Sequence, residues 1–160
     1  MRPSLITKLG GELQRYRDKD FLKAVMAACA LMSMADGELH PLELQQIEQA
    51  FAKVPELRPL DLSKARETFI GFVEALRRGE PDVHVILYRK IQRYEPDFKR
   101  SRALLRVAWL VMTADGIDHP AEEKEFKRLC GLLGQDPKRV RGDLEASPGR
   151  IGSEDQGGLP

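Results

Sequence analysis

Aromatic residues are scarce in this chain, at 6% of 160 positions. β-branched and alternating stretches are few as well, so a sheet protein is not expected. Cysteine occurs twice, at Cys29 and Cys130. With no CxxC spacing, a zinc ribbon or redox dithiol is excluded, and buried free thiols in a reducing compartment are expected instead. Neither sign of charge is in excess. Twenty-six Lys and Arg against 25 Asp and Glu leave a formal net charge of +1, which supplies no general pull toward nucleic acid or anionic lipid. The longest nearly apolar run, Ala24 to Ala35, is too short to span a bilayer, and the N-terminus lacks the apolar core of a signal peptide. The expectation is a cytoplasmic protein with no membrane insertion and no nucleic-acid partner. Catalytic signatures are missing too: there is no phosphate loop, no HExxH, no GxSxG and no nucleophile–base set. An enzyme is therefore not expected.

What the chain does have is helix formers. Ala, Leu, Glu, Lys and Arg dominate, and an all-α fold follows from their propensities. Hydrophobic content of 42% and charged content of 32% are ordinary for a globular domain, and the length suffices for one real core. Pro3 to about Tyr16 reads as a short amphipathic helix with Leu5, Ile6, Leu9 and Leu13 on one side, weakened by Gly10-Gly11. Asp18 or Asp20 caps a second helix to about Ala35. Its surface is apolar nearly all round (Leu22, Val25, Met26, Cys29, Leu31, Met32, Met34), which places it at the middle of a core. Pro41 opens a third helix to about Lys53, with Leu44, Ile47, Ala50 and Phe51 on one face. Asp61 or Ser63 starts a fourth, through about Arg78, which Gly79 stops. A fifth runs to about Tyr94 with Val83, Ile86, Leu87 and Ile91 inward. The sixth, Phe98 to about Ala114, repeats the second. Pro120 starts the seventh, Gly134 ends it, and Asp136-Pro137 opens a short eighth to about Ala146. Residues 1–146 read as a single helical domain, and 147–160 as a disordered tail with little to bury.

One segment is repeated. Ala35-Asp36-Gly37, His40-Pro41 and Glu43 recur as Ala114-Asp115-Gly116, His119-Pro120 and Glu122. Each copy ends an apolar helix, turns on glycine and starts a polar helix, which implies two pseudo-symmetric halves. An aspartate at the end of a buried helix faces the negative end of the helix dipole, at a cost of about 0.3–1 kcal/mol. Doing so twice asks for something positive nearby. Asp-Gly, a nonpolar residue and then Glu matches the second half of an EF-hand loop. The first half fails, because Met32 and Met34, or Val111 and Thr113, stand where ligands belong. What survives is a hard-oxygen half-site in each copy. A second reading stays open beside it. Glu43 and Glu122 follow a helix-initiating proline where a capping-box glutamate sits, and Asp36 and Asp115 suit Asx-turns. His40 and His119 read as residues before proline and not as zinc ligands, since one histidine per site is a poor zinc set. His84 reads as structural or solvated.

These residues resemble the tellurite-resistance TerB family and its wider TerB-like superfamily. The likeness rests on the Ala-Asp-Gly turn after an Ala-rich helix and the glutamate opening the next helix, in both copies, with Leu132-Leu133-Gly134 closing the second. It spans roughly Phe21 to Ala146. The resemblance implies a compact all-α bundle of about seven to eight helices with an internal pseudo-twofold repeat. It also implies a non-enzymatic role in bacterial stress response and a divalent cation held by acidic residues, calcium or magnesium before zinc. Carried over by position, these are Asp36, Glu43, Asp115 and Glu122. Glu38 adds an acid in the first copy and Asp118 in the second, so the copies are not equivalent. Partners would be proteins. From the residues alone, the basic patches Arg89, Lys90 and Arg93, and Lys99, Arg100, Arg102 and Arg106, read as solvated faces and not a nucleic-acid surface, with use by a protein or phosphorylated partner left open. The His-Pro-Asp of a J-domain is missing, because Ala121 follows His119-Pro120.

Overall fold

The computed structural model describes residues 5–114, 116–117 and 119–146, without the side chains of Leu5, Ile6 and Tyr16. Asp115, Asp118 and the expected tail at 147–160 lie outside the described residues. The fold is all-helical, with no strand among the described residues. Its elements are α1 (Leu5–Ser33), α2 (Pro41–Lys53), a 3-10 turn (Pro55–Leu57), α3 (Leu62–Arg78), α4 (Val83–Gln92), α5 (Phe98–Met112), α6 (Pro120–Leu132) and α7 (137–146).

The first two expected helices are one. Neither Asp18 nor Asp20 caps anything. Asp18 accepts a hydrogen bond from Gln14 and Asp20 pairs with Arg93 at 2.8 Å, both from within α1. Gly10 and Gly11 have open space around them, and the helix passes through them. The two halves of α1 differ sharply in burial. Every described side chain from Thr7 to Arg15 is exposed, Leu9 and Leu13 included, whereas Ala24 to Ser33 is buried without a break. The outer half extends beyond the core, and the inner half is its centre. α3, α4, α5 and α6 all pack on α1.

Caps elsewhere follow the sequence. Asp61 accepts the Ser63 and Lys64 amides at the start of α3, and Gly79 ends that helix at φ +63, a conformation that costs a residue with a Cβ. Asp97 caps α5 through the Arg100 amide, and Asp136 starts α7 by accepting the Lys138 amide. Of the side chains expected inward, Ile86 is 48% exposed instead. α4 is only ten residues long, and its buried stripe runs through Val83, Leu87 and Ile91 at four-residue steps, leaving Ile86 on the outer side. Phe98, at the start of α5, is exposed beneath the Arg102 guanidinium. Both cysteines are free and buried. Burial pushes the Cys29 thiol far up, with Glu43 adding to it, and raises Cys130 to about 11.

The halves interlock. Inner α1 and α2 form one helical pair; α5 and α6 form the other, 79 residues on. α2 packs across α5, and α6 packs across α1. Each pair thus lays its second helix on the first helix of the other. This packing brings the starts of α2 and α6 to one end of the core, where His40 and His119 meet.

Candidate metal centre

Among the described residues the two copies share several local features. His40 and His119 are extended N-cap residues, and Pro41 and Pro120 open α2 and α6. Gly37 and Gly116 take positive φ, +86 and +69, and close matched turns through amide bonds to Met34 and Thr113. α1 stops at Ser33, earlier than expected. Asp36 therefore lies in the turn and not on the helix, and the adverse dipole contact anticipated for it does not arise.

The histidine rings of the two copies stack, with centroids 6.0 Å apart and planes 23° from parallel. The two copies thus meet through their histidines. In the first copy Asp36 Oδ1 accepts the Glu38 amide at 3.0 Å, an Asx-turn, and Oδ2 lies 3.3 Å from His40 Nε2. Burial would raise the Asp36 pKa, but the Glu38 amide and the His40 ring outweigh it and the net shift is downward. The same contact raises the pKa of His40.

Glu43 is placed differently. It is 3% exposed, one turn into α2, with Oε2 3.4 Å from the His40 amide, the glutamate half of a capping box. Burial raises its pKa; the Ser33 side chain and the His40 amide only moderate the rise. Ser33 Oγ faces this carboxylate, yet it is buried without a hydrogen-bond partner of ordinary geometry. Among the described residues no lysine or arginine pairs with Glu43. Its counterpart Glu122 is equally buried, at 2%, and engages in interactions of its own. Glu38 is exposed, and its counterpart Ile117 is also exposed.

The structure therefore brings Asp36, His40 and Glu43 of the first copy together with His119 of the second, with Glu38 exposed beside them and Glu122 buried in the first turn of α6. Asp115 and Asp118, named from sequence, lie outside the described residues. Among the described residues no group of three His, Cys, Asp or Glu is close enough to hold a metal ion. The donor chemistry nevertheless suits a hard cation. The candidate ligands are carboxylates, and one of them, Glu43, is buried with no lysine or arginine against it among the described residues, only the His40 ring nearby.

A second polar cluster escaped the sequence reading. Tyr88 of α4 donates to Glu125 of α6 at 2.6 Å, and Arg128 donates to the Tyr88 hydroxyl at 3.0 Å. Glu125 is 9% exposed. A signal existed: Glu125 lies three residues after Glu122, beside Phe126 and in line with Leu129, on the face that α6 turns inward. Burial and the Glu125 contact raise the Tyr88 pKa.

A family model described as "Tellurite resistance protein TerB" matches residues 22–142. Neither the curated proteins nor the solved structures contain a match to the chain. The matched span starts where α1 enters the core and takes in both turns, both stacked histidines and both buried glutamates. The chain belongs to the tellurite resistance protein TerB family.

Proposed function

We propose that this chain is a non-enzymatic, cytoplasmic module of bacterial stress response that binds a divalent cation at its paired turns and acts through protein partners. The observation that carries this reading is the burial of Glu43 with no lysine or arginine against it among the described residues, next to a histidine stack that joins the two copies. A buried carboxylate of this kind is costly unless a charge answers it. Asp36, Glu43, Asp115 and Glu122 are the proposed ligands, with Glu38 and Asp118 as outer acids. Carboxylate oxygens favour calcium or magnesium over zinc. A cation there would neutralise the acids and fix the turns relative to each other.

A second reading has its own support. Asp36 already accepts the Glu38 amide, and Glu43 the His40 amide, so both acids act as caps in a metal-free adaptor. Calorimetric titration of chelator-stripped protein with calcium, magnesium, manganese and zinc separates the two. The cation reading expects saturable binding that Asp36→Asn and Asp115→Asn abolish. Heat-silent titrations with an unchanged melting temperature would overturn it and leave the acids as caps.

A further inference from the structure

Behind the two turns runs an open groove of about 570 Å³ between α1, α3, α4 and α6. Leu31, Met34 and Leu76 give it an apolar floor. Its walls are cationic: Arg77 stands on α3, and Lys124 and Arg128 on α6. Arg77 and Lys124 are exposed and have no acidic partner among the described residues. The single acid in the lining, Glu125, is buried and already held by Tyr88 and Arg128. With Arg128 paired to Glu125, the walls thus carry two unpaired positive groups, Arg77 and Lys124, on a chain whose overall charge is only +1.

We infer that this groove is the docking site for an acidic, amphipathic segment of a protein partner. The inference deepens the partner-binding half of the reading above and rests on it. The partner's apolar side chains would cover Leu31, Met34 and Leu76, and its carboxylates would meet Arg77 and Lys124, with Arg128 held beside them by Glu125 and Tyr88. Charge complementarity selects this occupant. Lys124 and Arg128 are one helical turn apart along one wall, and Arg77 stands on the other. The positive charge is spread along an extended track over an apolar surface, which suits a peptide better than a compact anion.

Ala35 and Gly37 of the first turn and Ala121, next to Glu122, also line the groove. The docking surface and the acid turns therefore share backbone, so an occupant of the groove would lie directly behind the proposed cation ligands.

The test uses the whole chain and a short fluorescein-labelled peptide of Asp, Glu and Leu, followed by fluorescence anisotropy. It is run in EDTA, so failure of the cation reading leaves it untouched. Expected is saturable binding that weakens at least about tenfold in the Arg77→Glu, Lys124→Glu double variant and does not change in Lys53→Glu, an exposed cation on α2. The milder Arg77→Gln, Lys124→Gln pair should weaken binding in the same direction, and circular dichroism checks that both variants are folded. Any of three results would overturn the inference. The first is no saturable binding. The second is equal binding of a peptide with every Leu replaced by Ser, which would mean charge alone. The third is displacement of the peptide by inorganic phosphate at low millimolar concentration, which would mean a small-anion site.

Discussion

Glu43 shows how one residue carries two roles that pull apart. As a cap it belongs at the third position of α2; as a charge it is poorly placed, because it is buried and no lysine or arginine pairs with it among the described residues. Its pKa in the folded chain is above the ordinary 4.5, so the folded state keeps this proton longer than the unfolded chain does. Stability linked to this group is highest below about pH 4.5 and falls as pH rises through the folded pKa, because the charged form is the costly one. Glu43→Gln keeps the capping geometry and removes the charge. In metal-free protein at pH 7 it should stabilise the fold by on the order of 1 kcal/mol, and the gain should vanish in acid. Urea denaturation at both pH values measures this. Loss of stability at neutral pH would mean that the carboxylate is already compensated. The same residue shows what sequence conveys and what it does not. Glu43 and Glu122 were recognisable as matched acids from their spacing alone. That both are buried could not be read there, because it depends on α2 crossing α5 and α6 crossing α1.

At the scale of elements, the helix starts and stops were the most legible part of the fold. Asp61, Gly79, Pro41, Pro120 and Asp136 each carry a local chemical reason for their place, and the structure uses all five. The join inside α1 was not legible. Gly-Gly and a choice of two aspartates resemble a boundary, but an aspartate in a helix can equally pair sideways, as Asp20 does with Arg93 across 73 residues of chain. Such a partner is invisible to local pattern. The exposed half of α1 gains nothing from core packing, so its helicity rests on propensity, and each glycine costs about 0.8–1 kcal/mol relative to alanine. Replacing Gly10 and Gly11 together by alanine should raise the far-ultraviolet helical signal and leave the melting temperature of the core nearly unchanged. A rise of many degrees would show that this half is integral to the folding unit.

At the scale of the molecule, both halves depend on one shared helix. Met26 is fully buried on α1, and its repeat counterpart Leu105 is 1% exposed on α5. Because α1 touches α3, α4, α5 and α6, a cavity at Met26 is felt by both halves. Met26→Ala should cost about 2–5 kcal/mol. Trp109 fluorescence, which reports the second half through its packing on Phe126, should shift together with the helical signal in one transition. Two separated transitions would mean that the halves fold independently. The pseudo-twofold architecture itself was visible in the 79-residue offset. The meeting of His40 and His119 was not, since it depends on how the helices of the two pairs cross.

The continuity of α1 has a mechanical consequence. A single helix of 29 residues is about 44 Å long, so while its outer half is helical it projects from the core as an arm and not a leash. In that helical state Leu9 and Leu13 keep one compass bearing relative to the turns and the groove, and Gly10 and Gly11 are where this phase is most easily lost. Inserting one residue near Arg17 would swing that bearing by about 100°, whereas inserting seven would restore it almost fully and lengthen the arm by about 10 Å. Whatever meets the arm meets it in phase with the rest of the molecule.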